Sequence, residues 1–233
     1  MKWTSLQRLR TLARPPVDFF YPPLCLLCDA YLQPGERLIC RICFRHLPQL
    51  EDPDIPSLSL RTPLRQPLYF ERAISLYDYT EAVGKLIHFF KYSGGRTLAR
   101  PFGEALGLAL LDGGYTPAAI VPVPLHPARR RERGYNQSEL LARAMGAVTG
   151  LPVEPEGLRR VTATAPQARM GRQKRLRNLR GAFAAGLHFD PAGGEIVLVD
   201  DVLTTGHTLD ECARVLVQQG GGRVIAATIA RVR

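Results

Sequence analysis

The stretch Ile196-Val197-Leu198-Val199-Asp200-Asp201-Val202-Leu203-Thr204-Thr205-Gly206-His207-Thr208 restricts the fold more than any other part of this chain. Its four consecutive apolar residues predict a strand buried on both faces, and such strands belong in parallel sheets covered by helices. The apolar run ends in two adjacent acids, at the carboxyl end of the strand, where open α/β sheets take their ligands. A loop of small and hydroxyl residues then leads into a helical pattern over 209–218. Backbone N–H groups at such a helix start, together with threonine hydroxyls, form a cradle for a phosphate. Gly206 allows close approach of backbone to ligand. Carboxylates repel phosphate, but they accept hydrogen bonds from a sugar diol or from waters on a magnesium ion. Asp200 and Asp201 on the hydroxyls, with Thr204, Thr205, Gly206, His207 and Thr208 on the phosphate, describe a site for a ribose 5-phosphate. A Walker A loop, the commoner phosphate cradle, does not occur.

The rest of the chain supplies the sheet that this strand requires. Strand patterns over 73–79, 119–123, 195–199 and 224–232 alternate with helical patterns over 82–91, 98–111, 137–148 and 209–218. Asn136 is placed to cap the third helix and Gly150 to stop it. Strand–helix alternation with short links predicts a parallel α/β domain, here assigned to 68–233. Ahead of it, residues 51–67 contain four prolines among polar neighbours and predict an extended linker. Trp3, Leu6, Leu9 and Leu12 give residues 1–20 the spacing of a short amphipathic helix, ended by Pro15 and Pro16.

Residues 21–50 hold four of the five cysteines. Cys25, Cys28, Cys40 and Cys43 follow the spacing C-x2-C-x11-C-x2-C, which offers four thiolates to one tetrahedral ion, with zinc the expected occupant. Four protein ligands close the coordination sphere, so the ion is read as structural. A segment with so little core would owe much of its folding energy to it. His46 is a competing ligand by position only. Cys212, in the middle of a helical pattern, reads as core packing.

The chain carries 31 Lys+Arg against 21 Asp+Glu, a formal net charge of +10. This favours polyanionic partners. The charge concentrates over 159–180, which contains Lys174, Arg175 and no acid, and in Arg129, Arg130, Arg131 and Arg133. Hydrophobic residues at 45% exclude wholesale disorder. No apolar run is long enough to span a bilayer, and the basic N-terminus lacks the continuous apolar core of a secretion signal. Cytoplasmic residence is the expectation. Lys91-Tyr92-Ser93-Gly94-Gly95-Arg96 forms a further basic turn suited to a phosphate or to DNA.

The 196–208 block resembles the phosphoribosyl pyrophosphate motif of type I phosphoribosyltransferases. Val121-Pro122-Val123-Pro124-Leu125-His126-Pro127, the arginines that follow, Gly134-Tyr135-Asn136-Gln137, Thr164-Ala165-Pro166-Gln167 and Asn178-Leu179-Arg180-Gly181-Ala182-Phe183 resemble the ComF competence family, as does the four-cysteine ribbon. The resemblance implies a parallel-sheet, type I phosphoribosyltransferase-like fold behind a small zinc ribbon. It implies binding of phosphoribosyl pyrophosphate (PRPP) with Mg2+. It also implies a role with single-stranded DNA during natural transformation, beside a helicase or translocation channel at the inner membrane face. On that resemblance Leu125, His126, Arg129 and Arg130 lie at a pyrophosphate loop, and Lys174 and Arg175 in a hood over it. If the chain is a pentosyl transferase, Asp200, Asp201, Arg129 and Arg133 are its catalytic candidates. A nucleotide-salvage transferase with a merely structural ribbon is the competing reading. The arginine excess weighs against it, and sparse aromatics weigh against a stacking platform for DNA.

Overall fold

The computed structural model describes residues 22–60, 67–92, 94–161, 180–187 and 189–233. The amphipathic pattern over 1–20, the motif 164–167, and Lys174 and Arg175 lie outside the described residues. The chain divides into two compact units, Met1–His46 and Leu47–Arg233.

In the first unit, two tight turns carry the cysteine pairs. Cys25 N–H bonds the Ala30 carbonyl at 2.8 Å and Leu26 N–H the Leu38 carbonyl at 2.8 Å, which folds the first turn against the second. Leu38 takes a positive φ of 66°, a conformation disfavoured for a branched side chain and held here by its surroundings. Helix α1, Arg41–Arg45, follows directly, with Cys40 as its N-cap. Glu36 accepts from Gln33 N at 2.7 Å and Arg41 N at 2.9 Å, and these backbone donors lower its pKa.

The second unit is built on a five-stranded sheet of order β1-β2-β7-β6-β3. The strands are β1 Asp54–Pro56, β2 Arg72–Asp78, β3 Ala119–Pro122, β6 Ile196–Leu203 and β7 Val224–Arg231. The four longer strands are parallel, and β1 closes the edge antiparallel to β2. Strand β1 arises inside the stretch expected as a linker. Leu50 N–H already bonds the Leu76 carbonyl at 3.0 Å, and Arg72 pairs with Asp54 at 2.8 Å. Proline-rich chain is suited to a sheet edge, where its missing N–H faces no partner. This part of 51–67 therefore belongs to the sheet.

Helices α2 Glu81–Tyr92, α3 Ala99–Asp112, α4 Pro127–Arg133, α5 Gln137–Thr149 and α6 His207–Gln218 connect the strands. A short antiparallel ribbon, β4 Leu158–Arg160 with β5 Phe183–Ala185, lies outside the main sheet. Alternation along β6 splits the core. Ile196 and Leu198 join Leu209, Cys212, Ala213 and Leu216 of α6 in one apolar cluster, and Val197 and Val199 turn to the opposite face. Helices α3 and α5 pack together with no room for a side chain at Gly103, whose added Cβ would sit 2.4 Å from the Ala144 Cβ. Cys212 is fully buried, as packing requires.

Candidate functional site

Strand β6 runs through both aspartates to Leu203, past the point where the apolar run ends. It keeps its partner β7 along that whole length, with Asp200 opposite Thr228 and Leu203 opposite Arg231. Its other partner leaves early. The last β3 pair is Pro122 with Val199, followed by one bond from Val123 N to the Val199 carbonyl at 2.9 Å. Asp200 and Asp201 therefore lie at the carboxyl rim of the sheet, just past the point where β3 departs.

Each carboxylate is held by residues from the start of α5. Asn136 caps that helix, accepting from Ser138 N at 3.2 Å and donating to the Val123 carbonyl at 3.0 Å. The cap aims the next two side chains at β6. Gln137 Nε2 donates to Asp201 Oδ2 at 2.9 Å, and Ser138 Oγ donates to Asp200 Oδ1 at 3.0 Å. From the end of α2, Lys91 Nζ pairs with Asp201 Oδ1 at 2.7 Å. Burial and the neighbouring Asp201 carboxylate push Asp200 up to about 7, against the pull of Lys91.

The loop after β6 is exposed at Thr204 and turns at Gly206, where φ is 76°. Helix α6 starts at His207, and its first N–H groups accompany the hydroxyls of Thr205 and Thr208. The imidazole of His207 lies with Nδ1 2.5 Å from Thr205 Oγ1, so the ring braces the loop beside its backbone N–H. Two acids in the first turns of α6 anchor neighbouring chain. Asp210 accepts from Tyr69 N at 2.7 Å, and Glu211 accepts from Gly181 N at 2.7 Å while pairing with Arg214.

Beyond β3, Leu125 and His126 lead into α4. The His126 Nδ1 caps that helix by accepting from Ala128 N at 3.2 Å. Arg130 reaches Glu139 at 3.5 Å. Arg133 donates to the Gln137 Oε1 and stacks over Tyr92 at 4.9 Å, which fixes the amide that holds Asp201. Arg129 is exposed and close enough to Arg160 to help burial lower the Arg160 pKa. Tyr135, in the turn between α4 and α5, donates to the Phe90 carbonyl and so ties that turn to α2. A cleft of about 540 Å³ opens beside this loop, walled by Pro124, Leu125, Arg130, Glu156, Arg160 and Phe189 among others. The structure thus gathers Asp200, Asp201 and the 204–208 loop on successive turns of one strand–helix unit. It adds Lys91, Gln137 and Ser138, which the sequence reading did not assign to the acids. Gln137 had a signal in the Gly134-Tyr135-Asn136-Gln137 block, and Ser138 only its place just inside the Asn136 cap.

In the ribbon, the sulfur atoms of Cys25, Cys28, Cys40 and Cys43 all lie within 4.8 Å of one another, and Cys28 and Cys40 are 3.8 Å apart. A tetrahedron with arms of ~2.3 Å has edges of about 3.8 Å, so the four thiols fit a zinc-sized ion. Cys40 N bonds Cys25 Sγ and Cys43 N bonds Cys40 Sγ, each at 3.4 Å. Burial acts to raise the Cys25 thiol, but N–H groups of Cys40, Leu27 and Cys28 overcome it and bring the pKa down to about 6. Burial and the three other sulfurs push Cys43 the other way. His46 stays out of the cluster, with Nδ1 on the Ile42 carbonyl at 2.8 Å.

A mostly parallel sheet with paired acids and a threonine–glycine turn on one inner strand, preceded by a four-cysteine ribbon, defines a phosphoribosyltransferase-type protein. Comparison with known proteins agrees. The phosphoribosyl transferase domain family matches residues 153–233. The DNA utilization protein YhgH of Salmonella typhimurium is 34% identical over 216 residues, which span 87% of this chain and 94% of that protein. Competence protein F of Haemophilus influenzae is 32% identical over 163 residues, 67% of this chain and 71% of its own length. Competence protein ComFC of Bacillus subtilis is 27% identical over 203 residues, 84% and 79% of the two chains. The chain belongs to the ComF/YhgH family. Among the described residues, no helix is long and apolar enough to cross a membrane.

Proposed function

We propose that the carboxyl rim of β6 and the loop after it bind PRPP together with Mg2+, and that the protein acts on single-stranded DNA during its uptake and use. The observation that carries the first part is the early exit of β3. It leaves Asp200 and Asp201 past the last β3 pair, at the carboxyl rim of the sheet and just ahead of the Gly206 turn that feeds the α6 N-terminus. In this reading the carboxylates face the ribose diol, and Thr204, Thr205, Gly206, His207 and Thr208 take the 5-phosphate. Both acids present oxygen donors of the hard kind that Mg2+ prefers. Bound with the pyrophosphate, the cation would offset charge on a leaving group. Arg129 and Arg130, beside the loop after β3, are the groups placed to share that task, and Lys174 and Arg175 of the 159–180 segment are assigned to it as well. If pentosyl transfer occurs, Asp200 is the carboxyl group best tuned to hold a proton near pH 7. Zinc in the ribbon holds the Met1–His46 unit together.

The DNA part rests on the net positive charge and on relatives named for competence and DNA utilization. A place beside a helicase or translocation channel at the membrane face follows the same line.

The test is calorimetric titration of PRPP with Mg2+ present. Binding is expected for the wild-type protein and its loss for the double substitution Asp200→Ala, Asp201→Ala; equal affinity for both proteins removes the assignment. Affinity for a single-stranded oligonucleotide is expected to fall steeply with salt, as counterion release demands. No binding even at low ionic strength would favour nucleotide salvage over DNA uptake.

A further inference from the structure

Lys91 opens the basic turn 91–96, far in sequence from the 196–208 block, and makes the closest charged contact to the acid pair among the described residues. Its ammonium sits 2.7 Å from Asp201 Oδ1, with the Lys91 side chain 25% exposed and that of Asp201 only 6%. The second oxygen of Asp201 accepts from Gln137 at 2.9 Å. Asp200 Oδ1 accepts from both Ser138 Oγ and its neighbour's N–H. Three of the four carboxylate oxygens that would meet a diol or a cation are thus engaged by the chain itself.

We propose that Lys91 is a specificity-determining counter-cation, which keeps free Mg2+ off Asp200 and Asp201 and yields them only when the cation arrives with the polyanionic sugar phosphate. The inference rests on the PRPP reading of that rim. Two adjacent, partly desolvated carboxylates without a counter-ion would draw a divalent cation by charge alone. Mg2+ sheds its waters reluctantly and demands near-octahedral oxygen ligands, so a carboxylate already held by an ammonium is a poor first ligand for it. A magnesium–sugar phosphate complex adds contacts along the 204–208 loop, which the bare ion cannot make, and these offset the loss of the Lys91–Asp201 pair. A cavity of about 90 Å³ adjoins Lys91, walled by Tyr92, Gly94, Glu132, Arg133 and Tyr135. It gives the released ammonium room, with the Glu132 carboxylate on its wall. Lys91 also ends α2, where the helix dipole favours a cation in either position.

The experiment titrates MgCl2 alone, and then PRPP at fixed MgCl2, into the zinc-loaded full chain, with melting temperature followed in parallel. Wild type, Lys91→Met and Lys91→Arg are compared. Lys91→Met is expected to bind Mg2+ alone at least tenfold more tightly than wild type and to gain melting temperature on adding it. Lys91→Arg, which keeps the charge, is expected to behave as wild type. Should Lys91→Met fail to fold, Lys91→Gln keeps a donor to Asp201 and carries the same expectation. Mg2+ affinity unchanged by the neutral substitution overturns the proposal, and if wild type still binds PRPP the PRPP reading survives that result. Gained Mg2+ affinity in a protein whose wild type ignores PRPP would remove the PRPP reading and overturn the release half of the proposal, leaving only the exclusion of free Mg2+.

Discussion

Asp200 and Asp201 are neighbours in sequence with different surroundings. Lys91 and Gln137 hold Asp201, whereas Asp200 has a serine hydroxyl and one backbone N–H. Burial and the Asp201 charge therefore fall on Asp200, whose pKa rises from 3.8 to about 7. A carboxyl whose folded pKa lies above its unfolded value keeps its proton longer in the folded state. The contribution of Asp200 to folding stability then falls as pH rises from about 4 to about 7. Asp200→Asn, which keeps one acceptor oxygen and cannot ionise, is expected to be more stable than wild type at pH 8, by on the order of 2–4 kcal/mol. The advantage should shrink as pH falls below about 7 and be lost near pH 4. Denaturant unfolding of both proteins at pH 5, 6.5 and 8 checks this, and a difference that stays flat with pH would count against it. The acids themselves were legible because they end a buried apolar strand, and open α/β sheets take their ligands at the carboxyl ends of their strands. The pairing of Lys91 with Asp201 was not, since the two lie far apart along the chain and only the assembled sheet and helices bring them together.

The helices and strands differ in how much of their cause is local. Helix α5 announces both ends, with Asn136 bonded to Ser138 N and Gly150 in the left-handed region at φ 73°. Helix α4 gives no apolar period, because arginine fills most of it; Pro127 and the His126 cap start it, and Gly134 at φ 77° stops it. Strands β1, β4 and β5 are three residues each and owe their existence to partners elsewhere in the chain, so no pattern within them is long enough to read. The α3–α5 seam is likewise a tertiary fact. An added Cβ at Gly103 would meet the Ala144 Cβ at 2.4 Å and the Leu141 carbonyl at 2.8 Å, whereas at Gly107 its nearest neighbour is 3.3 Å away. Gly103→Ala is expected to force the helices apart at a cost of about 1–3 kcal/mol. Gly107→Ala should be near neutral, its tighter contact offset by roughly 0.5–1 kcal/mol of helix propensity. Thermal unfolding of the two variants separates them, and equal losses would show that the seam accommodates both.

The two units gain their stability by different means. The Leu47–Arg233 unit has a two-sided core on β6 and β7, with Ile196, Leu198, Val224 and Ala226 on the α6 side and Ile225 and Ile229 fully buried as well. The Met1–His46 unit buries little beyond Cys25, Ile39 and Cys40 among its described residues. Elemental analysis is expected to return about one zinc per chain, and Cys28→Ser, which removes one of four ligands, to lower that content sharply. A chelator-treated protein with its ribbon still fully ordered would refute the structural role.

Strand β7 lies between β2 and β6 although both precede it in the chain. During synthesis β2 emerges early and can pair with β1, but its inner edge stays open until β7 leaves the ribosome. The central hydrogen bonds of the sheet, and with them the seating of Asp200 opposite Thr228, therefore form after nearly all of this sequence has been translated. An arrested nascent chain that stops short of Val224 would display a hairpin, helices and an unfilled slot, but no assembled site.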